Sequence, residues 1–308
     1  MDGLTVRKPS QRCSAGTVVE LDTSVHDVAT HNFFDGKAHA SSVLYEDSHL
    51  VAINKPSGLA VHPARGVKGD TAIQSLRRLI TPSVNLCHRL DKPTSGVLLA
   101  TKSHPALRRL ALEWNSELVL KAYIAISSGV PREPLMVLEA PLLRRSNGTV
   151  VVASNSRASR ALASKTTVAT IAADGQRALL GVVLGSGRTH QIRAHLAHAG
   201  FPLVGDLAYD NGDVRAARLS GDRLPRLMLH SHVLAFLHPM TRQLVTVTAP
   251  LPAEMAEMAV SMVGLPSHGD GSVTVAAADM EGWLESKMKA FLAPHLDALV
   301  HASHERST

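Results

Sequence analysis

Asp91 stands between Arg89 and Lys92 in the run His88-Arg89-Leu90-Asp91-Lys92-Pro93-Thr94-Ser95-Gly96. Nearby positive charge favours the ionised form of a carboxylate, and an ionised carboxylate can act as a nucleophile rather than an acid. Pro93 and Gly96 mark a tight, non-helical passage. Val97-Leu98-Leu99-Ala100 then reads as a short buried strand. A carboxylate in a loop held against a buried strand is well placed for chemistry. An isolated Asp flanked by basic residues is equally a surface turn with a local salt bridge. The rest of the chain has to decide between the two.

Several elements could position this loop. Val43-Leu44-Tyr45 and Leu50-Val51-Ala52-Ile53 flank Glu46-Asp47-Ser48-His49 as a hairpin would. A helix is predicted from about Asp70, with Ile73, Leu76 and Ile80 on one face and Pro82 just past its end. Ser103 is placed to cap another, along which Leu107, Leu110, Ala111 and Trp114 recur at helical spacing. That spacing makes Trp114 a core residue rather than a base-stacking one. Residues 120–127 alternate: Leu120, Ala122, Ile124 and Ile126 take one face, Lys121, Tyr123, Ala125 and Ser127 the other. Tyr123 therefore points away from the apolar face, as a residue looking into a cleft would. Further strands are expected at 166–172, 178–184, 230–237 and 243–248. Gly187-Arg188 turns into a helix capped by Thr189, with Ile192, Leu196 and Ala199 inward and Gly200 as its stop. Strands and helices do not alternate regularly, which argues for α+β with a largely antiparallel sheet.

The 308 residues are 45 % hydrophobic, enough for a substantial core, and carry 32 Lys plus Arg against 26 Asp plus Glu. The net charge of +6 suits a polyanionic partner, most simply nucleic acid. The arginine pairs at 77–78, 108–109 and 144–145, with Arg157 and Arg160, could form a phosphate-tracking surface or ordinary solvated faces. Two cysteines, Cys13 and Cys87, make no disulfide framework and suit a reducing compartment. No Cys-x-x-Cys or His-Glu-x-x-His occurs, and His190 with His195 is poorly spaced for one helical face, so no metal is expected. No run approaches the roughly 20 apolar residues of a membrane span. Residues 1–40 lack a secretory apolar core, and Asp2, Glu20, Asp22 and Asp27 weaken a mitochondrial presequence. The expected location is the cytoplasm, with the mitochondrion left open.

The block around Asp91 resembles the His-Arg-Leu-Asp…Thr-Ser-Gly signature of the RluA/RluC/RluD-type RNA pseudouridine synthases. Three other segments resemble the same family in order: Lys55-Pro56-Ser57-Gly58 with His62-Pro63, Lys121-Ala122-Tyr123-Ile124-Ala125, and Gly187-Arg188-Thr189-His190-Gln191-Ile192-Arg193-Ala194-His195. Four motifs in sequence over residues 43 to about 252 make the match specific. It implies a pseudouridine synthase-like α+β fold: a largely antiparallel mixed sheet, flanking helices and a central catalytic cleft. It implies an isomerase that needs no cofactor, acting on uridine in ribosomal or transfer RNA. Asp91 would be the catalytic carboxylate and Arg188 the cation that keeps it ionised in a low-dielectric pocket. Tyr123 would stack on the detached base and assist proton loss. Arg89 would fill the space of a flipped-out nucleotide or grip its backbone. Lys55, Arg193 and His195 are further substrate-side candidates, Arg193 being nearly as readable as a structural ion pair.

On this reading residues 41–254 are the catalytic domain. Residues 1–40 are an N-terminal extension without a separate RNA-binding domain. Residues 255–308 hold a linker, rich in turn-formers at 265–272, and an amphipathic helix striped by Met280, Leu284, Met288, Phe291, Leu292 and Leu296. That helix is expected to pack on its own domain, with Pro294 as a possible kink. No obligate protein partner is evident. Two rival functions stand beside the enzyme. One is a catalytically silent RNA-binding or ribosome-assembly protein on the same scaffold. The other, an Asp-dependent glycosidase, ordinarily needs two carboxylates, whereas the motifs supply one among cations.

Overall fold

The computed structural model describes residues 42–64, 67, 69–146, 148–153, 160–209, 225–263 and 273–305. The expected N-terminal extension, the 265–272 linker and Arg157 lie outside these residues.

The chain opens with the hairpin β1 (Val43–Glu46) and β2 (Leu50–Lys55). Its turn closes on the Asp47 carboxylate, which accepts the backbone N–H of His49 and of Leu50, both at 2.7 Å. Such Asx-type bonding is why an aspartate marks the reversal. Helix α1 (Ala72–Leu79) follows. There the side chain of Gln74 reaches back to the N–H (3.0 Å) and hydroxyl (2.7 Å) of Thr71. Next come β3 (Asn85–Leu86), β4 (Ser95–Thr101) and α2 (His104–Glu113), then β5 (Val119–Ser128), β6 (Leu135–Leu138), β7 (Leu142–Arg144) and β8 (Val150–Val152). The long antiparallel pair β9 (Thr166–Ala173) and β10 (Arg177–Leu184) leads into α3 (Gln191–His198). Strands β11 (Leu229–Leu237) and β12 (Leu244–Thr248) and helices α4 (Ala253–Val263) and α5 (Val273–Glu305) complete it.

Among the described residues ten strands form one sheet in the order β1-β2-β4-β11-β5-β10-β9-β6, with β12 on β11 and β3 on β4; β7 and β8 pair separately. Among the described residues only β4 and β11 pair in parallel, through His230↔Ser95 and Ser231↔Gly96. Gly96 makes this contact possible. Its φ is +109°, and a Cβ there would collide with the Ser231 backbone. The mixed, mostly antiparallel sheet and, among the described residues, five helices make the α+β architecture expected from the sequence.

Strand β5 lies near the middle of the sheet, and its alternation is as read: Leu120, Ala122, Ile124 and Ile126 share one apolar cluster, Tyr123 and Ala125 another. The polar-versus-apolar contrast does not hold, because both faces are buried. The face opposite Tyr123 packs on α4 and α5 through Met255, Ala259, Met280, Leu284, Met288 and Leu292. Burial of each Met or Leu among them contributes roughly 1.5–3 kcal/mol. The helical stripe predicted near the end of the chain thus covers the back of the central strand. Pro294 lies inside α5 and does not end it.

Candidate active site

The loop before β4 carries Asp91, and neighbouring backbone fixes its shape. The N–H of Thr94 bonds the Asp91 carbonyl at 3.0 Å, and the N–H of Gly58 bonds the Lys92 carbonyl at 2.9 Å. The Ser57 hydroxyl donates to Pro93 O at 2.7 Å. Lys55, fully buried at the end of β2, donates its amine to the carbonyls of Pro56 (2.9 Å), Leu59 (2.8 Å) and Lys92 (3.2 Å). Burial brings the Lys55 ammonium down to about 7, against the pull of the Asp91 charge. This lysine ties the motif around Pro56 to the Asp91 loop from behind. The expected substrate contact is therefore corrected: three carbonyls consume its donors.

The carboxylate itself meets Arg193. Nη1 of Arg193 donates to Asp91 Oδ2 at 2.9 Å, while Nε and Nη2 fork onto Asp206 at 2.7 Å each. Arg193 is 6 % exposed and Asp206 1 %, so one guanidinium serves two carboxylates away from bulk water. Burial opposes its charge, but the two acids outweigh that and push the guanidinium further up. Tyr209 adds its ring face, 5.2 Å from the guanidinium carbon. Among the described residues no hydrogen bond reaches Asp91 Oδ1. The carboxylate is thus gripped by one oxygen, and its other oxygen faces no donor among the described residues.

The cation expected to pair with Asp91 was Arg188, and this too is corrected. Arg188 is exposed, and its Nε lies 3.4 Å from Ala163 O. The reason is the start of α3. Thr189 does not cap it; the N-cap position falls on His190, in the left-handed region at φ 53°. The Gln191 side chain instead accepts the N–H of Arg188 at 3.0 Å and the Ser186 hydroxyl at 2.8 Å. The helix then begins late enough to aim Arg193, not Arg188, at the acid. His195, on the same helix, is 1 % exposed, bonded to Thr166 Oγ1 and to Ala140 O at 2.8 Å each. It braces α3 rather than facing the cleft.

Asp91, Tyr123, Arg188 and Arg89 do come together. A cleft of about 530 Å³ is lined by them with His62, His88, Trp114, Asn115, Lys121 and Arg144. A smaller recess adjoins it, shared by Arg89, Asp91, Tyr123 and Arg188 and extended by His190 and Arg193. Burial pushes the Tyr123 phenol up to about 12, with the Ser231 hydroxyl opposing and the Asp91 charge reinforcing the rise. At neutral pH it is a proton-bearing phenol. Trp114 is 9 % exposed, stacks on His88 at 4.7 Å and forms cleft wall as well as core. Arg89, Arg144 and Arg188 are exposed, and none pairs with a carboxylate among the described residues. A rim of guanidinium groups without carboxylate partners around one half-buried acid suits a phosphate-bearing chain. Among the described residues no cluster of three acid, histidine or cysteine side chains could hold a metal ion.

The sequence reading missed Asp206, His190 and Tyr209. Nothing local distinguishes Asp206. Its nearest signal is Gly205, whose φ of +74° and tight approach to the Arg226 backbone fix the turn that presents it.

This combination of sheet, loop and cleft is the architecture of pseudouridine synthases. The human RNA pseudouridylate synthase domain containing 4 superposes with a TM-score of 0.58 at 25 % identity, covering 71 % of this chain and 92 % of the human one. The human domain containing 1 protein gives 0.57 at 25 % identity, over 68 % and 83 %. A profile of the RNA pseudouridylate synthase family matches residues 49–198. The ribosomal large subunit pseudouridine synthase C of Vibrio vulnificus is 36 % identical over 71 % of this chain and 69 % of its own. That of Escherichia coli is 35 % identical over 70 % and 67 %. The chain belongs to the RNA pseudouridylate synthase family, isomerases that act on RNA. Among the described residues no helix is long and apolar enough to cross a membrane.

Proposed function

We propose that this protein converts specific uridines of large-subunit ribosomal RNA to pseudouridine, with Asp91 as the catalytic carboxylate. The observation that carries the reading is Asp91 itself: one oxygen fixed by Arg193, the other unbonded among the described residues, beside Tyr123 in an arginine-rimmed cleft. The names of the relatives favour ribosomal RNA; transfer RNA is the competing substrate.

The isomerisation breaks the bond from uracil N1 to the ribose anomeric carbon. The base turns and rejoins through carbon 5, whose proton leaves while N1 regains one. Nothing is oxidised and no group is imported. Asp91 Oδ1 acts at the sugar, while Arg193 holds Oδ2 and fixes the carboxylate's orientation. Tyr123 offers a ring face to the detached base and a phenol hydrogen bond during proton relocation. Arg89 and Arg188 hold the flanking backbone of a nucleotide turned out of its stack.

Pseudouridine mapping across total RNA, with and without this protein, tests the reading. One or more uridines in large-subunit RNA should lose the modification, and purified protein should restore it on a transcript. The Asp91→Asn protein should fold but fail to restore it, by about 10²–10⁴-fold in rate. An unchanged map, or full activity of Asp91→Asn, refutes the proposal. The free carboxylate oxygen argues against a silent RNA binder, which has no use for it.

A further inference from the structure

His190 has no task in the mechanism above, yet its placement is costly and specific. Its backbone is left-handed at φ 53°, a region that non-glycine residues seldom occupy without reason. Its ring forms part of the wall of the recess that holds Asp91. The Tyr209 hydroxyl donates to Val150 O at 2.9 Å, so toward His190 Nδ1, 3.1 Å away, that oxygen can only accept. Nδ1 therefore carries the ring hydrogen, and in the neutral imidazole Nε2 is left as an acceptor. Burial favours that neutral form, against the pull of the Asp91 charge. Nε2 lies 3.7 Å from Asp91 Oδ2, beyond hydrogen-bond distance. Two acceptors thus stand side by side in the wall of a recess, a site for a donor from the substrate.

A uridine within an RNA chain has few donors to offer. Its 3′ and 5′ oxygens are esterified, leaving the 2′-hydroxyl and the uracil N3–H. The N3–H lies across the ring from the glycosidic bond. The 2′-hydroxyl sits on the carbon next to the anomeric centre, where Asp91 acts. The geometry points to His190 as the residue that reads the sugar: its Nε2 accepts a hydrogen bond from the 2′-hydroxyl of the target uridine, selecting ribose over deoxyribose. This rests on the assignment of Asp91 to the ribose in the reading above.

The test uses a stem-loop oligonucleotide built around the uridine found by the mapping, made with uridine or with 2′-deoxyuridine at that position. Binding of both is measured to the Asp91→Asn protein, which does not turn the target over, with and without the further change His190→Gly. Glycine accepts a positive φ without strain, so the ring is removed and the backbone kept. With His190 present, the uridine form should bind about fivefold more tightly, the worth of one hydrogen bond. With His190→Gly the preference should fall to about one. Differences in pucker between the oligonucleotides are common to both proteins and cancel in the ratio. An unchanged preference overturns the inference, as does equal weakening of both ligands, which would give the ring a base-contacting or purely structural role. If the unsubstituted protein leaves the uridine stem-loop unconverted, the assignment of activity fails and this inference with it.

Discussion

Replacing Arg193 by Met would remove three charge-assisted hydrogen bonds of 2.7, 2.7 and 2.9 Å at once. The cost follows from what remains. Asp206, 1 % exposed, would keep a carboxylate in the interior with its N–H donor from Ala208 but no cation. Breaking a buried pair by removing one partner costs about 3–5 kcal/mol. At roughly 2–4 °C per kcal/mol for a chain of this size, the melting temperature should fall by about 6–20 °C. The double change Arg193→Met with Asp206→Leu should recover much of that, since the stranded charge is gone. Activity should not recover, because Asp91 still lacks its partner. Arg188→Leu is the control. It should leave the melting temperature in place while weakening RNA binding, lowering the salt slope by about one counterion. Differential scanning fluorimetry and single-turnover rates between pH 5 and 9 measure all of this. A shift below 2 °C for Arg193→Met, or wild-type single-turnover rates in the double variant, would refute the ion-pair reasoning.

Tyr123→Phe keeps the ring and removes the hydroxyl, so single-turnover rates should drop by about 10²-fold or more with little change in melting temperature; equal rates would exclude the oxygen from the chemistry. Because the phenol is held near 12, wild-type activity should show no basic limb from it below pH 10. Gly96→Ala forces a Cβ into the Ser231 backbone and should cost about 3 kcal/mol or more, read as insoluble or low-melting protein. His88 is half-buried and His230 buried, and desolvation lowers the pKa of each to about 3. Their neutral forms contribute stability that is complete above the unfolded value near 6.5 and is lost as pH falls toward 3. Each should remove about 2 kcal/mol between pH 6.5 and 5, and His230→Phe should reduce that slope in urea titrations by about half.

Local pattern carried much of the fold. The Asp47 turn, the capping of α1 by Thr71 and Gln74, and the strands β9 to β12 are spelled by residues a few positions apart. Alternation along β5 separated Tyr123 correctly from Leu120 and Ile124 but could not show that both faces are buried. Period two reports sidedness, while burial depends on helices more than a hundred residues downstream. The site was legible as a set of motifs and less so as a set of contacts. Arg188 and Arg193 are equally basic in the sequence; only the late start of α3 and the arrival of Asp206 decide which one meets Asp91. Lys55 looks like a substrate-side residue until its three carbonyl partners are seen. Long-range packing, not residue type, sets these roles.

Helix α5 emerges from the ribosome after every strand of the sheet, yet it lies directly behind the strand that carries Tyr123. Until it docks, the part of the Leu120, Ala122, Ile124 and Ile126 face that α4 does not cover lies open to water. A nascent chain stopped before Met280 would therefore be sticky and catalytically immature at once. Synthesis order alone would delay the onset of activity until the sheet's rear cover had been made.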